Sequence, residues 1–334
     1  MSAESPARFT IRPYRPGDEA QILELFKRSF FHERRLEQWR WKFQLNPYGN
    51  ERISLAFESD GGLVGQYTGY PVPFVIGGTD VLAHQIGDTM TDSAVRNVGR
   101  GPTSILARTT YDFYDRFCRG QIAFNYGFNV GNIQKFCERF LEIIRVESTP
   151  YRVRDLETDP IPTISRWERI ARGYRLELVK TPGREYDEFF RRVQPAYGFL
   201  VRRDRRYLQW RYFDCPDTTC VMVAIRKWTR LAGWVVFRIR EGRFTIGDAL
   251  FDPRFEDAFE VLLRHVVPSQ PVKVVDGWFP SRPVWFDRVL RELRFESRPD
   301  PNDLALMCSP FQMTDAVEQM RDSLYYTLAD SDLF

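Results

Sequence analysis

The chain has 334 residues, of which 43% are hydrophobic and 28% charged, and this composition is typical of a folded protein rather than a disordered one. Its 48 basic and 45 acidic residues leave a formal net charge of +3, which argues against a surface built for nucleic acid. Five cysteines without a CxxC pair and three histidines do not form a zinc-binding pattern, so we expect no metal and a cytoplasmic setting with reduced thiols. No run of 18 apolar residues occurs, and the start of the chain is polar, so we expect neither a membrane span nor a signal peptide.

The length suits two domains, and the sequence describes one plan twice. Residues 9–26 predict a strand, a turn at Pro16-Gly17 and a helix, and residues 174–193 predict the same elements around Pro182-Gly183. Trp-Lys-Phe at 41–43 is then answered by Trp-Arg-Tyr at 210–212, and a hairpin from Ile53 by one from Val221. Ile-Gly-Asp occurs at 86–88 and again at 246–248. The shared order predicts a duplication, the alternative being two α/β domains that use common turn patterns.

A proline-containing stretch of mixed charge separates the two halves. We therefore predict domains at residues 1–150 and 163–311, joined by a linker at 151–162. Residues 312–334 predict a C-terminal helix and an acidic tail, with Met313, Val317, Met320 and Leu324 on a helix face that docks onto the body.

Two glycines lie where the long strand LAHQIGDTM gives way to a helix. The sequence RNVGRGP places Arg96 three residues before Gly99 and Arg100 directly before Gly101, and Pro102 suits a first helical turn. Free N–H groups at a helix start and bare glycine backbone together fit a phosphate group. The spacing matches neither a P-loop nor a dinucleotide fingerprint. The alternative is that the glycines serve tight turn geometry alone.

This spacing, within this order of elements, resembles the acyl-CoA pyrophosphate loop of the GNAT (GCN5-related N-acetyltransferase) superfamily. Residues 8–147 follow that family's order of elements, and the paired arrangement resembles tandem-GNAT proteins, with an intact first loop and a degenerate second half. The resemblance implies an α/β fold of the α+β type, in which each unit is a mixed, mostly antiparallel sheet flanked by helices. It also implies acetyl-CoA (an acyl-CoA) as co-substrate.

The resemblance further implies which residues bind the acyl-CoA. The loop backbone would hold the pyrophosphate, the strand before it would pair with the pantetheine arm, and an Asn near the following helix would touch that arm. The corresponding loop residues are Arg96, Val98, Gly99, Arg100, Gly101, Pro102 and Thr103; those of the strand are Met90, Thr91, Ala94 and Val95; the asparagines are Asn129 and Asn132.

Acyl transfer to an amine needs a base that leaves the amine neutral. Strand alternation predicts His84, Ile86, Asp88 and Met90 on one face, so His84 and Asp88 are the candidate bases. Because Asp248 repeats Asp88 in the second half, a structural role for Asp88 stays open. A plain core or surface role stays open for His84.

The leaving thiolate needs an acid, which in this family is often a Tyr on the helix after the fifth strand. The corresponding helix, NIQKFCERF, carries Phe136 and Cys137 instead. Tyr126, on the strand before it, is the nearest substitute and our candidate acid.

The second half has no equivalent of the glycine loop. Residues 251–257 read FDPRFED, without glycine and with three acidic residues that would repel a pyrophosphate, so we expect no acyl-CoA there. The leading interpretation is an N-acetyltransferase that moves acetyl from acetyl-CoA to a small-molecule or peptide amine by direct attack in a ternary complex. The alternatives are a Fem-like transferase that uses aminoacyl-tRNA and a non-catalytic GNAT-fold binding or scaffold protein. We expect no nucleic acid partner, and the oligomeric state stays open.

Overall fold

The first part of the chain folds into six strands and four helices. The structure, a computed structural model, describes residues 9–217 and 219–334 except for the side chain of Asn132, so the polar start at 1–8 lies outside the described residues. The elements are β1 (Phe9–Pro13), α1 (Glu19–Phe30), α2 (Leu36–Phe43), β2 (Ile53–Glu58), β3 (Leu63–Ile76), β4 (Thr79–Thr91), α3 (Ile105–Phe117), β5 (Phe124–Val130), α4 (Gly131–Phe140) and β6 (Ile144–Ser148).

The second part repeats an alternation of strands and helices and ends in a short C-terminal helix. Its elements are β7 (Tyr151–Asp155), α5 (Arg166–Ala171), β8 (Tyr174–Leu178), α6 (Arg184–Val193), β9 (Phe199–Val201), α7 (Arg205–Leu208), β10 (Val221–Lys227), β11 (Arg230–Arg240), β12 (Arg243–Phe251), α8 (Ala258–Val266), β13 (Val274–Trp278), α9 (Val284–Glu292), β14 (Glu296–Ser297), β15 (Leu304–Pro310), α10 (Ala316–Ser323) and β16 (Leu324–Tyr325).

The sheet of the first unit has the order β1-β2-β3-β4-β5-β15-β6. β1 and β2, and likewise β2 and β3, pair antiparallel, whereas β4 and β5 pair parallel. Helix α3 covers one face through Phe113, Tyr114 and Cys118, which pack in one buried cluster with Tyr67 and Ile122. The sheet is therefore mixed, and the parallel pair of β4 and β5 lies at its centre.

The sheet of the second unit has the same kind of order, β8-β10-β11-β12-β13-β7-β14. Here β12 and β13 pair parallel, and the other neighbours pair antiparallel. An aromatic cluster of Phe251, Phe259 and Phe286 packs ring against ring in this unit's core. The predicted fold class, α/β with two mixed sheets flanked by helices, is confirmed.

The first sheet contains a strand, β15, from outside its own stretch of chain. β7 directly follows β6 but lies between β13 and β14, and β15 follows β14 but lies between β5 and β6. The compact units consequently hold residues up to 73, 81–147 and 305–318 in one case, and 74–80, 148–304 and 319–334 in the other. The domain boundaries proposed from the sequence differ from these units at 74–80 and 305–318, and as a division into independent domains they stay a prediction.

The C-terminal segment is helical over a shorter range than its apolar spacing indicated. Helix α10 ends at Ser323, and the chain continues as β16, which pairs parallel with β9. Val317, Met320 and Leu324 are all buried. No helix among the described residues is long and apolar enough to cross a membrane, and no group of three or more potential ligands there is placed to hold a metal ion.

Candidate functional site

A wedge opens between β4 and β5 in the first unit. The two strands are in parallel register at His84 opposite Asn125 and at Gln85 opposite Tyr126. Both strands continue beyond these pairs, over residues 86–91 of β4 and 127–130 of β5, and the described residues show no further paired position between them. Such a divergence exposes main-chain N–H and C=O groups that an extended ligand can pair with.

The loop that follows β4 is anchored by apolar side chains. Val95 and Val98 turn inward and pack with Ile105, Phe9 and Ala56. The chain then forms a single 3-10 turn over Gly101–Thr103 before α3 begins. Ser104 caps α3, since its hydroxyl accepts a hydrogen bond from the N–H of Ala107 at 3.2 Å, an arrangement that typically contributes about 1 kcal/mol. The loop is thus held at both ends.

Both loop glycines are required by the geometry of the backbone. Gly99 has φ +74°, and a Cβ there would lie 2.8 Å from the carbonyl carbon of Thr103 and closer still to its oxygen. Gly101 has φ +53°, and a Cβ there would lie 2.9 Å from the ring of Phe140. Turn geometry, the alternative kept open from the sequence, therefore accounts for the two glycines without a ligand.

The N–H groups of the loop divide into engaged and unengaged ones. Those of Val98 and Thr103 donate to the carbonyl oxygens of Val95 and Arg100, and that of Arg100 donates to the Thr103 hydroxyl at 3.1 Å. Within the described part of the chain, the N–H groups of Gly99 and Gly101 have no acceptor. Two neighbouring unengaged donors before a helix form a place where an anion binds readily.

Two arginines flank these two donors in the sequence. The side chains of Arg96 and Arg100 are exposed, and Arg96 donates to the carbonyl oxygen of Thr91 at 3.1 Å. Pro102 and Thr103 are exposed on the 3-10 turn. The amino end of α3 adds partial positive charge at the same side of the loop.

The residues between the wedge and the loop have mixed surroundings. Met90 is buried and Thr91 half-buried at the end of β4. Ala94 is exposed and Val95 buried, and both N–H groups are engaged in a turn with Asp92. Met90 and Thr91 therefore lie on an extended strand, whereas Ala94 and Val95 lie in the loop after it.

Asp88 lies at an irregular position of β4. Its φ of +50° interrupts the strand alternation, and its main-chain oxygen accepts a hydrogen bond from the Gln66 side chain at 2.9 Å. Its carboxylate, 7% exposed, forms ion pairs with Arg34 and, at 3.4 Å, with Lys42. Burial alone would raise the pKa of Asp88, but the ammonium of Lys42 and the guanidinium of Arg34 hold it below its usual value.

His84 lies on the opposite side of the sheet from Asp88, so the prediction of one shared face is wrong. His84 packs edge-on against Phe113 of α3, whereas Asp88 meets side chains from α2 and the segment before it. The positive φ at Asp88 is the physical reason, because alternation holds only for regular strand.

The surroundings of His84 keep it neutral. It is fully buried, and its Nδ1 lies 3.7 Å from the sulfur of Cys118. Burial, reinforced by the charge of Arg52, lowers the pKa of His84 to about 3. Burial likewise raises the pKa of the Cys118 thiol to about 12. The pair is therefore a neutral part of the core.

Tyr126 occupies the last paired position before the wedge opens. Its hydroxyl donates to Oε1 of Gln85 at 3.3 Å, and the hydroxyl of Tyr70 donates to the same oxygen. All three side chains are buried. The hydroxyl proton of Tyr126 is thus already hydrogen bonded at the vertex of the wedge.

The two asparagines lie on different elements. Asn129 is on β5 rather than on the helix, and its amide donates to the sulfur of Cys137 at 3.4 Å. Asn132 is in the first turn of α4, and its side chain lies outside the described residues. Burial raises the pKa of the Cys137 thiol to about 12, so this thiol stays protonated at neutral pH.

Sequence reasoning missed the two cations that meet Asp88. Lys42 belongs to the Trp-Lys-Phe triplet, whose counterpart Trp-Arg-Tyr also carries a cation in the middle. That shared charge was a usable signal. Arg34 is 54 positions from Asp88, and no local pattern connects the two.

Comparison with known proteins gives one domain match and several similar structures. Residues 10–136 match the profile of the acetyltransferase (GNAT) domain, a range that includes the wedge and the loop. No curated protein matched by sequence. The solved structures that resemble the chain include one from Enterococcus faecalis described as "Probable N-Acyltransferase", with 14% identity, a TM-score of 0.65, and coverage of 91% of this chain and 73% of that one.

Two further structures have the same kind of fold. A GCN5-related N-acetyltransferase from Anabaena variabilis has 15% identity and a TM-score of 0.63, covering 90% of this chain and 72% of that one. N-myristoyltransferase of Saccharomyces cerevisiae, solved with bound myristoyl-CoA, has 11% identity and a TM-score of 0.55, covering 92% and 83%. At such identities the likeness shows the fold alone. The family match therefore applies to residues 10–136, and the neighbours show the fold that the chain shares with them.

Proposed function

We propose that the protein is an N-acetyltransferase that transfers acetyl from acetyl-CoA to an amine within a ternary complex. The observation that carries this proposal is the pair of unengaged N–H groups at Gly99 and Gly101, at the end of a strand that diverges from its parallel neighbour. An extended ligand with a diphosphate at one end fits both features.

The co-substrate site follows from the donors and charges of the loop. The pyrophosphate accepts from the N–H groups of Gly99 and Gly101, with Arg96 and Arg100 nearby as counter-ions. The pantetheine arm pairs with the exposed edge of β4 around Met90 and Thr91. This places the thioester near the vertex of the wedge.

The reaction forms one bond and breaks one bond without oxidation or reduction. The amine nitrogen attacks the thioester carbonyl carbon, the C–N bond forms, and the C–S bond breaks. The proton lost from nitrogen ends on the CoA sulfur, directly or through water. Main-chain N–H groups of β4 that face the wedge stabilise the oxyanion.

Of the two candidate bases, Asp88 is the one we assign to the site. Its carboxylate stays ionised beside Lys42 and Arg34, so it orients the amine by charge, but its lowered pKa makes it a weak base. We therefore propose that a water takes the proton. We assign His84 to the core. Tyr126, at the vertex, is the proposed acid toward the sulfur.

A second proposal is a protein that binds acyl-CoA without catalysing acyl transfer. Helix α4 carries no Tyr, the residue type that the resemblance leads us to expect as the acid there. A non-catalytic module that binds acyl-CoA would have the same loop. For either role we also propose a cytoplasmic setting, which the five free cysteines support.

Thermal unfolding with and without acetyl-CoA tests the proposal. Ligand that binds only the folded state stabilises it by about 2.7 kcal/mol at 100 times its dissociation constant. We expect a rise in Tm at millimolar acetyl-CoA that Gly99→Glu abolishes. The matched control is Gly61→Glu, because Gly61 also has positive φ and lies in an open hairpin turn. No rise in the wild type would refute acyl-CoA binding, and a rise without thiol release over a panel of amines would favour the binding module.

A further inference from the structure

Two exposed tryptophans lie close together in the second unit. Trp167 is 78% exposed and Ile170 45% exposed, and their spacing of three residues places both on one face of α5. Trp228, which is 72% exposed, lies in the hairpin turn between β10 and β11. Large apolar side chains that are left in water at one place on a surface, unlike single ones, indicate an interaction site.

Two hydrogen bonds and one close contact bring the turn of Trp228 to the end of α5. The N–H of Trp228 donates to the carbonyl oxygen of Gly173 at 2.8 Å, and the N–H of Gly173 donates to that of Ile170 at 2.8 Å. A Cβ at Gly173 would lie 2.7 Å from the indole of Trp228, so this ring lies directly on the glycine. We call the surface that the three apolar side chains form, those of Trp167, Ile170 and Trp228, the tryptophan patch.

The backbone at Trp228 is unusual for this residue type. The turn consists of Trp228 and Thr229 alone, since Lys227 pairs with Arg230 across it. The φ of Trp228 is +55°, a conformation for which two-residue hairpin turns use Gly, Asn or Asp. The contact with Gly173 leaves most of the residue in water. Neither turn geometry nor burial therefore explains a tryptophan at this position, whereas a binding role at the surface does.

Cations without acidic partners flank the tryptophan patch in the chain. Arg166 directly precedes Trp167, Arg230 follows the hairpin turn, and both arginines are exposed. Lys227 lies opposite Arg230 at the base of the same turn. Within the part of the chain that the structure describes, these three cations form no ion pair. Their charge is therefore available to an anionic partner.

The acidic residues of the neighbouring helices do not neutralise this charge, because they are already paired. Glu168 of α5 pairs with Arg172 at 2.8 Å and with Arg264 of α8 at 3.0 Å. Glu260 of α8 pairs with the same two arginines, at 3.5 and 3.2 Å. The tryptophan patch is thus apolar at its centre and has a positive rim, and the complementary surface is anionic and can take up apolar rings.

We propose that the tryptophan patch docks on an anionic lipid membrane. The two indoles and Ile170 enter the boundary between headgroups and acyl chains, where tryptophan is enriched in membrane proteins. Arg166 and Arg230 bind lipid phosphates, and Lys227 adds to the attraction. At 72–78% exposure the indoles project into solvent instead of lining a groove, which suits a fluid surface better than a peptide. This inference does not depend on the proposed acyl transfer.

Sedimentation of the full chain with sucrose-loaded vesicles tests the proposal. Vesicles of phosphatidylcholine alone are compared with vesicles made of equal parts of phosphatidylcholine and phosphatidylglycerol. We expect binding to the anionic vesicles and none to the neutral ones. Binding should weaken at least about fivefold between about 0.1 M and about 1 M salt, because the Debye length falls from about 10 Å to about 3 Å.

Variants without the indoles show whether the rings enter the membrane. Asn suits a hairpin turn residue of positive φ, so Trp228→Asn should leave Tm unchanged or raise it. Combined with Trp167→Gln, it should weaken binding to anionic vesicles at least about tenfold. The control is Leu45→Gln, which removes a side chain of similar exposure, 69%, from the first unit and should leave binding unchanged.

A charge variant tests the positive rim. Arg230→Gln should weaken binding about fivefold, which is the contribution of one cation near an anionic membrane surface. Lys273→Gln removes an exposed charge that is paired with Glu157 and is the control for net charge.

Three results would overturn the proposal. They are no binding to anionic vesicles, equal binding to neutral ones, and unchanged binding by the double tryptophan variant. Binding to poly-L-glutamate that depends on the two tryptophans, without binding to vesicles, would assign the patch to an acidic polypeptide and would equally overturn the membrane assignment.

Discussion

Replacement of Gly99 by alanine should perturb the loop through an unfavourable backbone angle and through steric overlap. The φ of +74° is unfavourable for any residue with a Cβ and costs about 1–2 kcal/mol. The new Cβ would also lie 2.8 Å from the carbonyl carbon of Thr103 and 3.1 Å from the Cα of Ser104, so the backbone must move.

That movement breaks the hydrogen bonds between Thr103 and Arg100. The N–H of Thr103 donates to Arg100 at 3.1 Å, and the Thr103 hydroxyl accepts from the N–H of Arg100 at the same distance. Each exposed bond is worth about 0.5–1 kcal/mol, so we expect Gly99→Ala to lower the free energy of unfolding by about 2–4 kcal/mol. It should also abolish the rise in Tm with acetyl-CoA, because the two unengaged N–H groups lose their arrangement.

Gly61→Ala is the matched variant for this experiment. Gly61 has φ +87°, but no atom lies within 4 Å of its added Cβ, so only the conformational cost of about 1–2 kcal/mol applies. Urea unfolding gives the free energies, and thermal unfolding gives the ligand response. If Gly99→Ala unfolds at the midpoint of Gly61→Ala and keeps the full acetyl-CoA response, the reasoning about the loop is refuted.

Three further outcomes follow from buried groups. Asp88→Asn should lower the free energy of unfolding by about 3–5 kcal/mol, because two cations lose their counter-ion; a change below 1 kcal/mol in urea unfolding would contradict this ion-pair assignment. Since the pKa of Asp88 is lowered on folding, its stabilisation is present above the unfolded value near 4 and is lost at more acid pH. The pKa of His84 is lowered to about 3 in the folded state, so between about pH 6.5 and 3 the unfolded chain carries a proton there and the folded chain does not. As the pH falls through this range, the free energy of unfolding decreases by up to about 1.4 kcal/mol per pH unit. His84→Gln should remove that slope from unfolding curves measured across the range. Gly247→Ala should destabilise by about 1–3 kcal/mol through overlap with the Phe334 ring, and Phe334→Ala should suppress that loss; additive effects in a double-mutant cycle would contradict the contact.

Local signals in the sequence predicted the local elements well. The turn at Pro16-Gly17 does separate β1 from α1, and the glycine pair at 99 and 101 does lie between β4 and α3. These features depend on neighbouring residues, whose preferences a single sequence displays directly. The mixed α/β class follows from them.

Local sequence signals did not predict contacts between distant residues or irregular backbone conformations. The positive φ of Asp88 moved its carboxylate away from the face of His84, and nothing in the alternation of AHQIGDTM indicates that irregular conformation. The pairing of Arg34 with Asp88 depends on the fold of the whole unit. The placement of β15 between β5 and β6 depends on a strand more than a hundred residues away along the chain.

The late strand β15 sets an order of events during synthesis. When β6 has left the ribosome, the first sheet still lacks β15, so β5 and β6 both present unpaired edges. At about 5–20 residues per second, the roughly 150 residues that separate β6 from β15 take on the order of 8–30 s to translate. The loop at residues 96–103 therefore belongs to a half-built sheet for that time, and a cell that makes this protein must protect two open strand edges until almost the whole chain has emerged.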